Sequence, residues 1–335
     1  MIDKSWLNTP AYVGASRISI KGSPANRLFF VYRTVGCEYD KNKKGCTMCN
    51  FAEYASPDVT GENLNAQHNQ AIELLRQGCF EHFDLATIGN FYNDREIAPE
   101  TRRQLLSRTA PMSAVKRVLT ESRRGYTTAE KLREAKACLR EDQILEFAFG
   151  YESINPEIRN GILNKKVPEE HLDETIQMCG EVGLDFVSYV LIKPPKSSEA
   201  EAMKDAIDTA IHVLEKAERY GVYARIAFEP VFVVRGKPIE TLFISGNYKP
   251  PKLWTVAETL IQTAERMGVT NTEGKLFVGL SDENLSGGRK AHNCGSCDSQ
   301  VEAAIQQFNA DQDVSNLREL YHECKDEWEK DVGKI

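Results

Sequence analysis

The chain has 335 residues, enough for one large domain with an appendage or for two domains. Hydrophobic residues make up 41% and charged residues 27%, the balance of an ordinary globular protein, and no apolar run approaches the roughly 20 residues of a membrane span. A formal net charge of −7 argues against nucleic-acid binding through bulk positive charge and leaves only a local basic patch for that purpose. Met1–Ser16 lacks a basic-then-apolar leader, and nine cysteines without one point to a reducing, cytoplasmic setting and to metal chemistry, not to a disulfide scaffold.

In chain order, residues 1–26 read as a mixed polar lead-in with one short strand at Ser16–Ile20. Leu28–Thr34 alternates bulky and β-branched residues and reads as the first core strand. A cysteine-bearing loop follows. Glu62–Gly78 is helical, with Ala71, Leu74 and Leu75 on one face and Gly78 as a stop signal. Asp84–Gly89 is a short buried strand, and Pro99 opens a helix running to about Arg108. Ala114–Thr120 is a strand. Thr127 and Glu130 have the spacing of a capping box, which predicts a helix through Leu139. Ile144–Gly150 is a strand, followed by helices beginning at Asn155-Pro156 and at Pro168. Leu184–Ile192 is a strong strand, and Ser198 with Glu201 forms a second capping box opening a long helix to about Tyr220. Tyr223–Phe228 is a strand, Leu253–Met267 a helix and Lys275–Leu280 a last short strand. The Gly287-Gly288 turn and two helices complete the chain. Strands alternating with helices imply βα units and a parallel sheet, hence an α/β fold. Periodicity alone does not separate a doubly wound sheet from a partial barrel.

The stretch after the first core strand carries the chemistry. Val35–Tyr54 holds Cys37, Cys46 and Cys49 in a C-x8-C-x2-C spacing. Thiolates are soft ligands suited to iron–sulfur clusters or zinc. A structural zinc wants four ligands, and no fourth Cys or His sits nearby. Three local cysteines therefore fit a [4Fe–4S] cluster with one iron left open to a small molecule. A second constellation, His292-Asn293-Cys294-Gly295-Ser296-Cys297-Asp298, contains C-x2-C and suggests a further metal site, possible for zinc, on Cys294 and Cys297 with His292 or the His322/Cys324 pair completing it. Parallel α/β folds bind ligands at the carboxyl ends of their strands. Those ends are polar here: Gly89-Asn90-Phe91, Glu121-Ser122-Arg123, Gly150 with Glu152-Ser153, Lys193-Pro194-Pro195 and Glu229-Pro230. Lys193 is a candidate for a substrate carboxylate or phosphate, and Glu229 for a substrate amine.

The cysteine loop resembles that of the radical S-adenosylmethionine (SAM) superfamily, with the long first gap of its Elongator-like branch. The phrase G-C-T-M-C-N at Gly45–Asn50 is similar to the archaeosine-forming radical SAM enzymes and their bacterial relatives. E-S-R at Glu121–Arg123, L-I-K-P-P-K at Leu191–Lys196, Asn247–Trp254 and H-N-C-G-S-C-D at His292–Asp298 match that family in order. The resemblance implies a partial (βα)6 TIM barrel over residues 27–240, with 241–335 as a small α-rich extension. It implies a [4Fe–4S] cluster on Cys37, Cys46 and Cys49. SAM would be bound by Gly89, Asn90 and Phe91 at its amino group, by Glu121 and Arg123 at its ribose and carboxylate, and by Glu152 and Ser153. It implies reductive SAM cleavage to a 5′-deoxyadenosyl radical, fed by an electron donor such as ferredoxin or flavodoxin. The substrate it implies is a lysine-modified 7-deazaguanine in tRNA, cleaved at a C–N bond to leave archaeosine. Two other readings stay open: a radical SAM enzyme acting on a small molecule, amino acid or peptide, and a non-catalytic Fe–S or zinc scaffold.

Overall fold

Apolar and charged residues alternate along the central strands, and the computed structural model, which describes residues 4–43 and 45–333, shows where each set points. The elements are β1 (Tyr12–Ile20), β2 (Ser23–Tyr32), α1 (Glu38–Lys43), α2 (Gly61–Gln77), β3 (His82–Thr87), α3 (Pro99–Thr109), β4 (Arg117–Glu121), α4 (Ala129–Ala137), β5 (Ile144–Glu152), α5 (Glu170–Val182), β6 (Asp185–Ile192), α6 (Glu199–Arg219), β7 (Ala224–Pro230), α7 (Pro238–Ile244), α8 (Leu253–Arg266), β8 (Leu276–Val278), α9 (Asp298–Asp311), α10 (Ser315–Arg318) and α11 (Glu323–Asp331). A π-helical turn, Glu157–Ile162, follows β5.

One eight-stranded sheet runs β1 to β8 in chain order. The six strands that the α/β partial-barrel reading requires are β2 to β7, all parallel. The other two predicted strands, Ser16–Ile20 and Lys275–Leu280, flank them as β1 and β8. β1 pairs antiparallel with β2 through the Lys21-Gly22 turn, whose φ angles of 48° and 86° suit a tight hairpin. β8 adds parallel to β7. The free edge of β8 is covered by α9: Asn309 Nδ2 donates to the Val278 carbonyl and its Oδ1 accepts from Val278 N, each at 2.9 Å. No helix among the described residues is long and apolar enough to cross a membrane.

Helix ends follow local chemistry. Thr60 and Asn63 form a capping box on α2, and Ser198 and Glu201 form the one predicted on α6. On α4 the cap is Thr128, one residue later than the Thr127–Glu130 spacing suggests. Thr127 is diverted because its hydroxyl donates to the Arg123 carbonyl at 3.1 Å.

Alternation sorts the strand side chains. Leu145, Phe147 and Phe149 of β5 pack outward with Phe83, Phe186 and Phe228 under the helices. Glu146 points inward, where it meets charges from other strands. Arg117 Nη1 lies 2.5 Å and Arg225 Nη2 2.7 Å from its carboxylate oxygens, and His82 Nε2 lies 2.7 Å away. Arg117 also reaches Asp185 at 2.6 Å, and Asp84 lies between His82 (2.7 Å) and Arg27 Nε (2.9 Å). Burial opposes charge on Glu146, but Arg225, His82 and Arg117 hold its carboxyl well below the usual range. Breaking a buried pair strands an uncompensated charge. Glu146→Gln is therefore expected to destabilise the fold by roughly 3–5 kcal/mol. Asp58→Asn, which removes the exposed Lys4–Asp58 pair, should cost about 1 kcal/mol or less. Denaturant melts of the two variants check the contrast.

Candidate active site

A cavity of about 920 Å³ opens at the carboxyl ends of the strands. Cys37, Cys46 and Cys49 line it together with Gly89, Asn90, Glu121, Arg123, Glu152 and Glu229.

The cysteine loop is clamped from two sides. On one, Glu96 Oε1 accepts hydrogen bonds from Glu38 N (2.8 Å), Asn90 Nδ2 (2.9 Å) and Asn93 Nδ2 (2.9 Å), and Oε2 accepts from Asn90 N. On the other, Thr47 N donates to the Leu163 carbonyl (3.2 Å) and Asn164 Nδ2 to the Gly45 carbonyl (2.8 Å). Gly89 sits where a Cβ would lie 2.1 Å from Glu96 Oε2 and 3.1 Å from Cys37 Cα, so only glycine lets the strand end approach the loop. Burial pushes the Cys37 thiol up, with Glu96 adding to it. Burial and the neighbouring Cys46 push Cys49 up to about 12. Three adjacent thiols, two of them strongly desolvated, favour a bound cation that displaces their protons. All three thiols line the cavity, and as a donor set they would fit a three-thiolate cluster.

The other predicted residues divide. Asn90 Nδ2 lies 3.6 Å from Cys37 Sγ, and Asn90 Oδ1 accepts from Arg123 N (2.9 Å). The Arg123 guanidinium stacks on Tyr39 at 3.8 Å and donates to the Lys165 carbonyl. Glu121 accepts from Tyr189 Oη (3.0 Å) and Thr87 N (3.3 Å). Glu152 holds a positive φ of 70° beyond an irregularity in β5, which turns its carboxylate into the cavity to pair with Lys165. Burial opposes the charge on Lys165, but Glu152 and Cys46 raise its pKa overall.

Three predicted residues are elsewhere. Phe91 is fully buried and packs edge-on against Tyr92, its ring 5.2 Å away in the outer core. Ser153 donates to Asp205 Oδ1 of α6 at 2.9 Å, away from the cavity. Lys193 is buried against Glu199, because the positive φ of 61° in the proline turn swings it toward α6. In the C-terminal constellation Cys294 and Cys297 do come together, joined by His322 and Cys324. His292 is not among them; its Nδ1 contacts the Lys290 carbonyl two residues back at 2.9 Å.

Part of the lining is acidic. Glu229, Glu283 and Glu121 all line the cavity. Burial pushes Glu121 up to about 7 and Glu283 up to about 8. Burial and the nearby Glu283 carry Glu229 well above the ordinary carboxyl range. Glu229 finds no hydrogen-bond donor among the described residues, and Gly279 leaves it room: a Cβ there would lie 2.2 Å from Glu229 Oε2. Lys165, Glu283, Glu96 and Tyr189 escaped the sequence reading. Lys165 and Glu283 lie in irregular segments without a pattern, whereas Arg27 and Tyr189 stand at alternate positions in strands and were findable as inward-facing polar residues.

No family model matches the chain. Sequence comparison finds archaeosine synthase subunit beta of Methanosarcina acetivorans, 28% identical over 331 residues that span 98% of this chain and 91% of that one. The protein of the same name from Thermococcus kodakarensis is 29% identical over 320 residues, 94% of each chain. An uncharacterized protein of Methanocaldococcus jannaschii is 30% identical over 308 residues, 90% of this chain and 80% of that one. The chain belongs to one family with the Methanocaldococcus jannaschii protein, and it is similar to the archaeosine synthase beta subunits over nearly their whole length. Among solved structures, an N-terminally truncated Elp3 of Methanocaldococcus infernus shares the fold with a TM-score of 0.51 at 14% identity, over 73% of this chain and 59% of that one.

Two outcomes follow from the geometry. Gly89→Ala drives a methyl group into Glu96 and the Cys37 backbone, so reconstituted protein should retain clearly less cluster-bound iron than the parent, and any SAM affinity should fall by roughly tenfold or more, about 1.4 kcal/mol. Iron quantification and equilibrium binding check it. For pH, the raised glutamates keep protons in the native state that an unfolded chain loses near pH 4.3. The native state then binds more protons than the unfolded one, so stability falls as pH rises from about 4.5 through the folded values near 7 and 8. Thermal melts of the cluster-free protein between those limits should drop by a few degrees, and Glu283→Gln should flatten the slope.

Proposed function

We propose that this enzyme carries out the radical step of archaeosine formation, C–N cleavage of a lysine-modified 7-deazaguanine in tRNA that removes the lysine carbon chain and leaves an amidine. The observation that carries the reading is the near end-to-end match to two proteins named archaeosine synthase subunit beta, over 91% and 94% of their lengths. The cavity supports it chemically. It runs from the cluster cysteines to an unpartnered carboxylate, Glu229, flanked by Glu283 and Glu121. A substrate bearing an ammonium or amidinium group would ionise and pair these carboxyls, whereas an anionic one would be repelled.

Cys37, Cys46 and Cys49 would hold a [4Fe–4S] cluster, which would supply one-electron reductive cleavage of SAM, fed by a donor such as ferredoxin or flavodoxin. The chain's own residues orient and shield that chemistry. Asn90 and Arg123 stand beside the cluster loop, where an amide and a guanidinium can bind the amino-acid end of SAM. Glu121, which accepts a hydrogen bond from Tyr189, would bind ribose hydroxyls. Glu152 with Lys165 presents a paired charge at the cavity wall. Apolar side chains such as Phe29, Val31 and Phe277 exclude water from the space between. The net charge of −7 means that phosphate contacts to tRNA fall to local cations, Arg17 and Lys290 among those lining the cavity, or to a second subunit, as the relatives' name implies. The reading places the enzyme in the cytoplasm, where its substrate is.

Anaerobic reconstitution with iron and sulfide, then dithionite, SAM and tRNA bearing the lysine-modified base, tests the proposal by chromatography of 5′-deoxyadenosine and of the nucleosides. Archaeosine should appear with the parent and not with Cys37→Ala/Cys46→Ala/Cys49→Ala. Glu229→Gln, which removes a charged hydrogen-bond acceptor, should raise KM for the modified substrate roughly 10–100-fold. SAM cleavage without any effect of tRNA, and no salt-dependent tRNA affinity, would redirect the substrate to a small cationic molecule, amino acid or peptide. Failure to bind a cluster would remove the enzyme reading altogether.

A further inference from the structure

Four side chains from two separate stretches of the C-terminal region meet at one point outside the cavity. Cys294 and Cys297 lie at the turn before α9, and His322 and Cys324 at the start of α11. Their ligand atoms all lie within 4.8 Å of one another. Cys294 Sγ and Cys297 Sγ are 3.7 Å apart, Cys297 Sγ and Cys324 Sγ 3.6 Å, and Cys294 Sγ is 3.8 Å from His322 Nδ1. A regular tetrahedron with Zn–S bonds of about 2.3 Å has sulfurs about 3.8 Å apart. The observed spacings are far too long for a disulfide, about 2.05 Å. They are too short for a cubane cluster, in which each thiolate sits on its own iron.

We infer that Cys294, Cys297, His322 and Cys324 form a closed structural zinc site of three thiolates and one imidazole. The surroundings suit charged sulfur: Trp254 Nε1 donates to Cys324 Sγ at 3.3 Å, and Asn293 Nδ2 donates to Cys297 Sγ at 3.4 Å. Such donors orient ligands and stabilise their thiolate form. Four protein ligands leave no open position, so the ion is structural. Its effect is nevertheless felt at the cavity. Cys297 is the residue that precedes α9, and α9 supplies Glu302, Gln306 and Asn309 to the cavity wall while covering β8. His322 is the N-cap of α11. The zinc thus pins the start of α9 to the last helix of the chain and holds one wall of the active site without lining it.

Metal analysis of the full chain, purified anaerobically before any iron reconstitution, tests the site independently of SAM chemistry. One zinc per chain is expected. It should persist in Cys37→Ala/Cys46→Ala/Cys49→Ala and be lost in Cys294→Ser/Cys297→Ser. Cobalt(II) introduced into the zinc-depleted protein should give the intense visible bands of tetrahedral, thiolate-bound cobalt, and His322→Ala should shift them. Substoichiometric zinc in the parent, iron in its place, a Cys294–Cys297 disulfide by mass spectrometry, or the weak spectrum of octahedral cobalt would overturn the inference. Should the double variant fail to fold, the parent's stoichiometry and its cobalt spectrum still decide.

Discussion

The interior of the barrel is held by a lattice of buried charge centred on Glu146. Arg27, Asp84, His82, Glu146, Arg117, Asp185 and Arg225 come from β2 through β7, so each of these six strands contributes at least one member. Side chains alternate between faces along a strand, and a slip of one residue would send these charges into the aromatic core under the helices. The lattice therefore penalises wrong registers severely, beyond whatever net stability it provides. It also fixes what lies above it. Two residues further along their strands stand Ala86, Leu119, Ala148, Val187 and Ala227, mostly small side chains, and beyond these the cavity begins. Glu121 and Glu229 are four residues past Arg117 and Arg225 on the same inward faces, so the register that pairs the arginines also delivers the carboxylates.

The cavity carries two kinds of chemistry. Thiols, an amide and two cations gather about the cysteine loop, and three buried carboxyls share the same chamber. Soft sulfur suits soft metal ions, while desolvated carboxyls, pushed toward their neutral forms by burial, acquire charge when a cation arrives. Backbone strain is placed at the same rim. Glu152 and Lys193 both hold positive φ at strand ends, and in each case the unusual conformation decides where the side chain goes: Glu152 into the cavity, Lys193 out of it toward α6.

Much of this was legible in the sequence. The parallel strands of the barrel showed as apolar runs between helix signals, and the cysteine spacing marked a loop that lines the cavity. Glycine at 89 and the polar strand ends marked the rim. The rest was hidden for physical reasons. β1 reads weakly because its outer positions are small, polar and exposed, and its strand character comes from the hairpin. The direction of Ser153 and Lys193 depends on backbone angles that composition does not encode. The sequence left His292 and the His322/Cys324 pair as alternatives beside Cys294 and Cys297, and only the fold decides between them, as the chain returns across about 25 residues to bring His322 and Cys324 there. That is a tertiary fact with no local signature. Charged residues inside apolar strands, such as Glu146 between Leu145 and Phe147, were the readable sign of the ion lattice and went unused.

The sheet is not closed on itself. Between β8 and β1 the wall is a helix, α9, joined to the strand edge by the Asn309 carboxamide in place of a backbone ladder. A gap spanned by side chains has a width set by their sizes. Exchanging residues on that one helix face would widen or narrow the chamber without breaking any backbone hydrogen bond of the sheet or disturbing the cysteine loop on the other side. A lineage could in this way fit new ligands to an unchanged core, altering a handful of codons in one helix while the costly, charge-locked strands stay as they are.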